Sequence, residues 1–137
     1  MAGELRLSAN GERALREAEK ACYAMNVAIQ GAEHLLVGAL LVLRSEGVEG
    51  IPEPDALERG LAMIHGSSDE QLTTNVMAGS GFRTALNETA RATAARGETV
   101  VDAAVLVRGV IESGEVNPMF YGAAGTSKDA LLALVSG

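Results

Sequence analysis

Aromatic residues make up only 3% of this 137-residue chain: two Tyr, two Phe and no Trp. A sheet core draws on β-branched and aromatic side chains, so the shortage points instead to helices packed through small residues. Cysteine occurs once, at Cys22, which excludes an internal disulfide, and with only His34 and His65 beside it no zinc-ligand cluster assembles at a familiar spacing. Positive charge is short as well: eleven Lys and Arg face eighteen Asp and Glu, a net charge of −7. Nucleic acid and anionic membrane surfaces attract the opposite sign, so neither is an expected partner. The longest near-apolar run, Leu35 to Leu43, is about half of the ~20 residues that cross a bilayer. Met1 to Ser8 includes Glu4 and Arg6 and has no apolar signal core. A single compact domain in a reducing cytoplasm is the expectation.

What the chain does contain is helical periodicity. Ala14, Leu15, Ala18, Ala21, Cys22 and Met25 keep to one face of a helix, with charges from Glu12 to Lys20 on the other. Ser8 or Asn10 is its candidate cap, and Gly11 weakens its first turn. A second helix, apolar nearly all round and therefore central, runs from Gly31 or Ala32 to about Arg44. Glu46 to Pro54, with two Gly and two Pro, breaks the helix. Asp55 with Glu58 then reads as a capping box opening a helix that carries Ala56, Leu57, Leu61 and Ile64 and stops at Gly66.

Ser67 to Ser80 reads as a polar connection, with Ser67 or Ser68 capping a short turn towards Leu72 and Val76. Helical spacing resumes from Phe82 to Gly97 and again from the cap Asp102 to about Glu112. Asn117 and Pro118 read as cap and first residue of a short helix through Tyr121. Thr126 or Ser127 caps a last helix over Asp129 to Val135. No segment reads as a strand. The fold class expected is all-α, with about seven or eight helices.

Offset by 71 residues, the chain matches itself without a gap over about thirty positions. Ala14 falls on Ala85, Leu15 on Leu86, Glu17 on Glu88, Ala21 on Ala92, Ala32 on Ala103, Leu35 on Leu106 and Gly38 on Gly109. Two copies of one helical unit, about 8–66 and 81–137 with a connection at 67–80, are expected to share a core about a pseudo-two-fold axis within one domain, 1–137.

Glu12-Arg13-Ala14-Leu15, then Ile29-Gln30-Gly31-Ala32-Glu33-His34-Leu35-Leu36-Val37-Gly38-Ala39-Leu40, resembles the Clp N-terminal repeat. In that family the first helix carries E-R-A or P-R-A, and the second opens close to I-G-T-E-H-L-L-L-G-L-L. The resemblance covers nearly the whole chain and is strongest from Gly31 to Leu40. It implies a mostly helical, non-catalytic domain that receives substrates and adaptors for a Clp unfoldase and protease.

In some family members the glutamate of each T-E-H segment helps bind phosphoarginine. Glu33 matches the first of these, with Ala32 in the usual Thr position and His34 following, so Ala32, Glu33 and His34 form the ligand-binding candidate. The second glutamate falls on Ala104, so at most one such site is expected. The short helix usual after the family's central helix has little room beside Gly47, Gly50, Pro52 and Pro54. With no ATPase following, the expectation is either a free-standing member or a segment of a larger protein, Ala104 favouring the former, acting as receptor, adaptor or decoy.

Each candidate also has a structural explanation. A carboxylate at Glu33 suits a helix start, worth about 0.3–1 kcal/mol. A guanidinium needs such a carboxylate too, while a phosphate prefers helix N-terminal amides, so the two readings of Glu33 stay open. His34, with no second His or Cys in helical reach, reads as a packed histidine, His65 as a partner of its helix C-terminus and Cys22 as core. Met77, Met119 and Phe120 are either core or an adaptable apolar surface.

Gly122 to Lys128 lacks the spacing and preceding strand of a phosphate loop. The sequon Asn87-Glu88-Thr89 falls inside a helix. No carboxylate pair, Ser/His/Asp set or Cys/His pair is complete, and an enzyme would need a deep pocket joining Glu33, His34 and Asp102. No catalytic residue, metal or cofactor is therefore expected. A structural interaction protein, such as a homo-oligomer or a partner-specific inhibitor, is the alternative to the Clp role.

Overall fold

The computed structural model describes residues 4–136. The first three residues, part of the segment read as lacking a signal core, and Gly137, the end of the second unit, lie outside them.

The first half begins with strand β1 (Arg6–Leu7) and helix α1 (Ala9–Met25). Ser8 is the cap, its hydroxyl accepting from Gly11 N at 3.2 Å. Gly11 is not a weak point in the first turn. It is buried where a Cβ would stand 2.5 Å from the Val101 carbonyl oxygen, so only glycine admits the second half of the chain there. Asn26 ends the helix in the left-handed region, at φ 55°.

Strand β2 (Ile29–Gln30) leads into helix α2 (Ala32–Ser45), buried without interruption from Ala32 to Leu40. Its closest approach to α1 is at Gly38, where a Cβ would run into the Ala14 carbonyl oxygen and lie 2.8 Å from Ala18 N. Residues 46–53 form the expected loop, followed by helix α3 (Pro54–His65). The capping box expected at Asp55 and Glu58 is absent. Pro54 takes the first helical position, for which its fixed φ is suited, and this draws Asp55 into the first turn behind Glu53. Leu57 and Leu61 deliver the apolar stripe to the core.

No helical turn forms between Ser67 and Val76: Ser68 Oγ accepts from Glu70 N at 3.1 Å in an open connection. Its ends are tied to α1, Ser68 N donating to Met25 O at 3.0 Å and Val76 N to Tyr23 Oη at 3.2 Å. The second half has strand β3 (Met77–Ala78), helix α4 (Ser80–Ala95), strand β4 (Val100–Val101) and helix α5 (Ala103–Glu112). Helices α6 (Met119–Ala123) and α7 (Lys128–Val135) complete it. Asp102 caps α5 through Val105 N at 2.9 Å, Ser127 caps α7 through Ala130 N at 3.0 Å, and Asn117 Oδ1 accepts from Met119 N at 3.0 Å.

The fold is all-α apart from the two-residue strands, which the sequence does not announce. They form two parallel ribbons: β1 on β4, with Arg6 opposite Val100, and β2 on β3, with Ile29 opposite Met77. Under the 71-residue offset β1 maps to β3 and β2 to β4, so the offset carries one ribbon onto the other. Each ribbon splices the entry of one half to the middle of the other. Two residues are too few to show an alternating pattern, and their pairing is a long-range event.

The offset also superposes Gly38 on Gly109, where a Cβ would strike the Thr89 side chain, and α3 on α7. The halves differ at α6, which stands where the first half has its loop, and Phe120 packs its ring on Gly60 of α3. Phe120 therefore belongs to the core, while Met77 and Met119 are exposed.

Candidate functional site

The β2–β3 ribbon ends where the N-termini of α2 and α4 come together. With the exit of α3 they enclose a cleft of about 660 Å³. Its floor includes Gln30, Ala32 and Glu33, and its walls His65, Gly81 and Glu115.

Glu33 is only 4% exposed. Its Oε1 lies 2.8 Å from His65 Nε2, and its Oε2 accepts from Asn117 N at 2.7 Å. Burial pushes the carboxyl's pKa up. The hydrogen bonds from His65, from Asn117 and from its own backbone outweigh burial and hold it below the ordinary value. Glu33 thus joins the start of α2 to the end of α3 and to the turn before α6. His65 stands in the last turn of α3, where a partner of that helix terminus is expected, and its Nε2 also engages Glu33.

His34 lies under the floor, fully buried, and does not line the cleft. Its Nδ1 accepts from Gly31 N at 2.9 Å, which places the ring proton on Nε2, a buried atom without a partner. The His65 ring packs on it with centroids 4.3 Å apart. Burial, and then the neighbouring His65, push the His34 pKa down to about 4, so this ring is neutral at physiological pH.

The two helix starts in the cleft are capped by glycine. Gly31 before α2 and Gly79 before α4 provide no side-chain cap. A Cβ on Gly81 would find only Ala32 N at 3.9 Å and Glu115 Oε2 at 4.0 Å, so space remains in front of both termini. At the other ribbon the equivalent termini are capped from within the chain. Ser8 Oγ caps α1, Asn10 Oδ1 takes Ala103 N at 3.0 Å and Asp102 takes Val105 N. Arg13 reaches Glu46 across that side at 3.0 Å. Both ends of the pseudo-two-fold keep a cleft, about 480 Å³ beside Ser8, Asn10 and Asp102 against about 660 Å³ here, but only this one has helix starts without side-chain caps.

Ala32, Glu33 and His34 are therefore brought together, two in the cleft and one beneath it, while Asp102 lies at the opposite ribbon. Gln30, His65, Gly79, Gly81, Glu115 and Asn117 were not singled out for this site. The repeat holds a signal for two of them, since Ser8 and Asn10 fall on Gly79 and Gly81. Gln30 is 7% exposed with Oε1 unpaired and lines the cleft, which no local pattern reveals. Cys22 is buried in α1, and burial, then Glu19, raise its thiol to about 12. A thiol reagent at pH 8 is expected to label it only as fast as the protein unfolds; rapid stoichiometric labelling of folded protein would contradict this.

A mostly helical domain of two matched halves, with clefts between paired helix starts, is a class defined by its architecture. No family model and no curated protein matches the chain by sequence. Its fold matches the crystal structure of the N-terminal domain of the caseinolytic protease associated chaperone ClpD from Arabidopsis thaliana, with a TM-score of 0.73 and 14% identity. The match covers 95% of this chain and 92% of that one. The chain has the Clp N-domain fold.

Proposed function

We propose that the protein is a non-catalytic protein-binding module serving a Clp-type unfoldase and protease as substrate receptor, adaptor or decoy. In this reading its cleft takes the side chain of a phosphorylated arginine. The observation that carries the proposal is the pairing of two uncapped helix starts with a carboxylate on one cleft floor. Unpaired N–H groups and the helix dipoles favour the phosphoryl oxygens. Glu33 suits the guanidinium, which takes the place now held by the His65 imidazole.

The cleft lining has two carboxylates, Glu33 and Glu115, and no Lys or Arg. A bare phosphate is disfavoured there, and a group bearing phosphate and guanidinium together is not. Ala104 in place of the second glutamate, and the side chains that cap the helix starts at the other ribbon, predict one ligand per chain. No helix among the described residues is long and apolar enough to cross a membrane. The proposed role belongs in the cytoplasm.

Calorimetry with phosphoarginine is expected to show 1:1 binding, with arginine and inorganic phosphate each weaker. Gly81→Asp places a carboxylate before Ala32 N in space that accepts it, and should reduce phosphoarginine affinity more than about tenfold, 1.4 kcal/mol, with the fold intact. No binding to the unaltered protein, or equal binding to Gly81→Asp, overturns the proposal.

A second reading draws on the internal engagement of both Glu33 oxygens. A structural interaction protein, homo-oligomeric or inhibitory, would keep this fold and leave Glu33 as a tie. Recovery of a partner other than a Clp component, with no phosphoarginine binding, would establish it.

A further inference from the structure

We infer that the outer face of the β2–β3 ribbon is an apolar subsite. It seats the side chain next to the arginine-derived residue held in the cleft, so that the occupant is an extended polypeptide segment pairing that residue with an apolar one. This rests on the cleft being the binding site for an arginine-derived side chain.

Strand alternation turns Gln30 inward and leaves Ile29 and Met77, in register across the ribbon, facing out. They are 54% and 65% exposed, among the most exposed large apolar residues described. Ile29 is itself part of the cleft lining, and a Cβ on Gly79 would stand 2.8 Å from its Cγ2. The apolar pair thus continues directly from the start of α4. Tyr23, 42% exposed, borders the same ribbon and accepts the Val76 N–H that leads into β3.

The other ribbon supplies a control within the molecule. Under the 71-residue offset the positions of Ile29 and Met77 are held by Val100 and Arg6, the latter an exposed cation. Were an apolar outer pair required to build the ribbon, both would have one. It occurs only beside the cleft whose helix starts have no side-chain caps. Charge constrains the occupant: a cleft with Glu33 and Glu115 and no Lys or Arg favours a guanidinium-bearing side chain and disfavours Asp or Glu beside it.

The test uses two short peptides that place phosphoarginine beside either Leu or Gly, with free phosphoarginine as reference. The Leu peptide is expected to bind about tenfold tighter than the Gly peptide, the effect of partly burying one aliphatic side chain. Met77→Ser should erase that preference and leave free phosphoarginine affinity unchanged, and Met77→Leu should keep it. No preference in the unaltered protein, or one that survives Met77→Ser, overturns the subsite. If free phosphoarginine fails to bind, the receptor reading falls by itself. The same peptide pair with plain arginine then decides the subsite: a Leu preference lost in Met77→Ser upholds it, and its absence overturns it.

Discussion

Gly38→Ala is expected to destabilise the protein by about 3 kcal/mol, at the upper end of what overpacking costs. The new Cβ would meet the Ala14 carbonyl oxygen and stand 2.8 Å from Ala18 N, both backbone atoms of α1. Neither can rotate aside, so the helices must separate. Separation loosens the contact that buries Ala14, Ala18 and Cys22 completely. Against this stands the gain in helix propensity from Gly to Ala, at most about 1 kcal/mol, so the sign is set by the clash. Gly122, in α6 with nothing within 4 Å of its ideal Cβ, is the control, and Gly122→Ala should be neutral or slightly stabilising. Urea unfolding of both variants is the measurement. Equal stability of Gly38→Ala and the unaltered protein would show that the two helices can part without loss.

The second large effect is loss of stability in mild acid, traced to His34. Its folded pKa is about 4 against an ordinary 6.5, so between those values the unfolded chain binds a proton that the folded chain refuses. The stabilisation is fully present above pH 6.5 and drains away as pH falls towards 4, amounting to about 3 kcal/mol at 1.36 kcal/mol per pKa unit. Glu33 acts in a lower window. Its folded pKa is depressed below 4.5, so its contribution is present above that value and is lost as pH falls through the folded pKa. The two windows separate in His34→Asn, whose amide oxygen can still accept from Gly31 N but does not titrate. Urea unfolding at pH 7, 5.5 and 4.5 should show a sloping stability in the unaltered protein and a flat one in His34→Asn. An equal slope in both would remove His34 from the account.

Local pattern was sufficient for most of the helices because a helix writes its buried face into consecutive residues. The stripe from Ala14 to Met25 and the apolar run of α2 identify themselves, as does Asp102 at its cap, while the structure chooses Ser127 over Thr126. The matching glycines at 38 and 109 were visible as a repeat before their contacts with Ala14 and Thr89 were seen. Where two local signals competed, the less familiar one prevailed at α3: Pro54 at the first helical position displaced the Asp55 cap. The site was half legible. Glu33 and Ala32 stood out through the Clp N-terminal pattern, and the loss at Ala104 marked one half as different.

The chain by itself determined the helices, the internal repeat and the small-residue seams, all consequences of which side chain follows which within a few turns. Tertiary structure alone decided the ribbons, the Glu33 link to His65 and Asn117, the burial of Phe120 and the difference between the two clefts. Each of these depends on groups brought together from distant parts of the chain. A hydrogen bond between Glu33 and His65, or the absence of one at Gln30, is a property of where the halves meet.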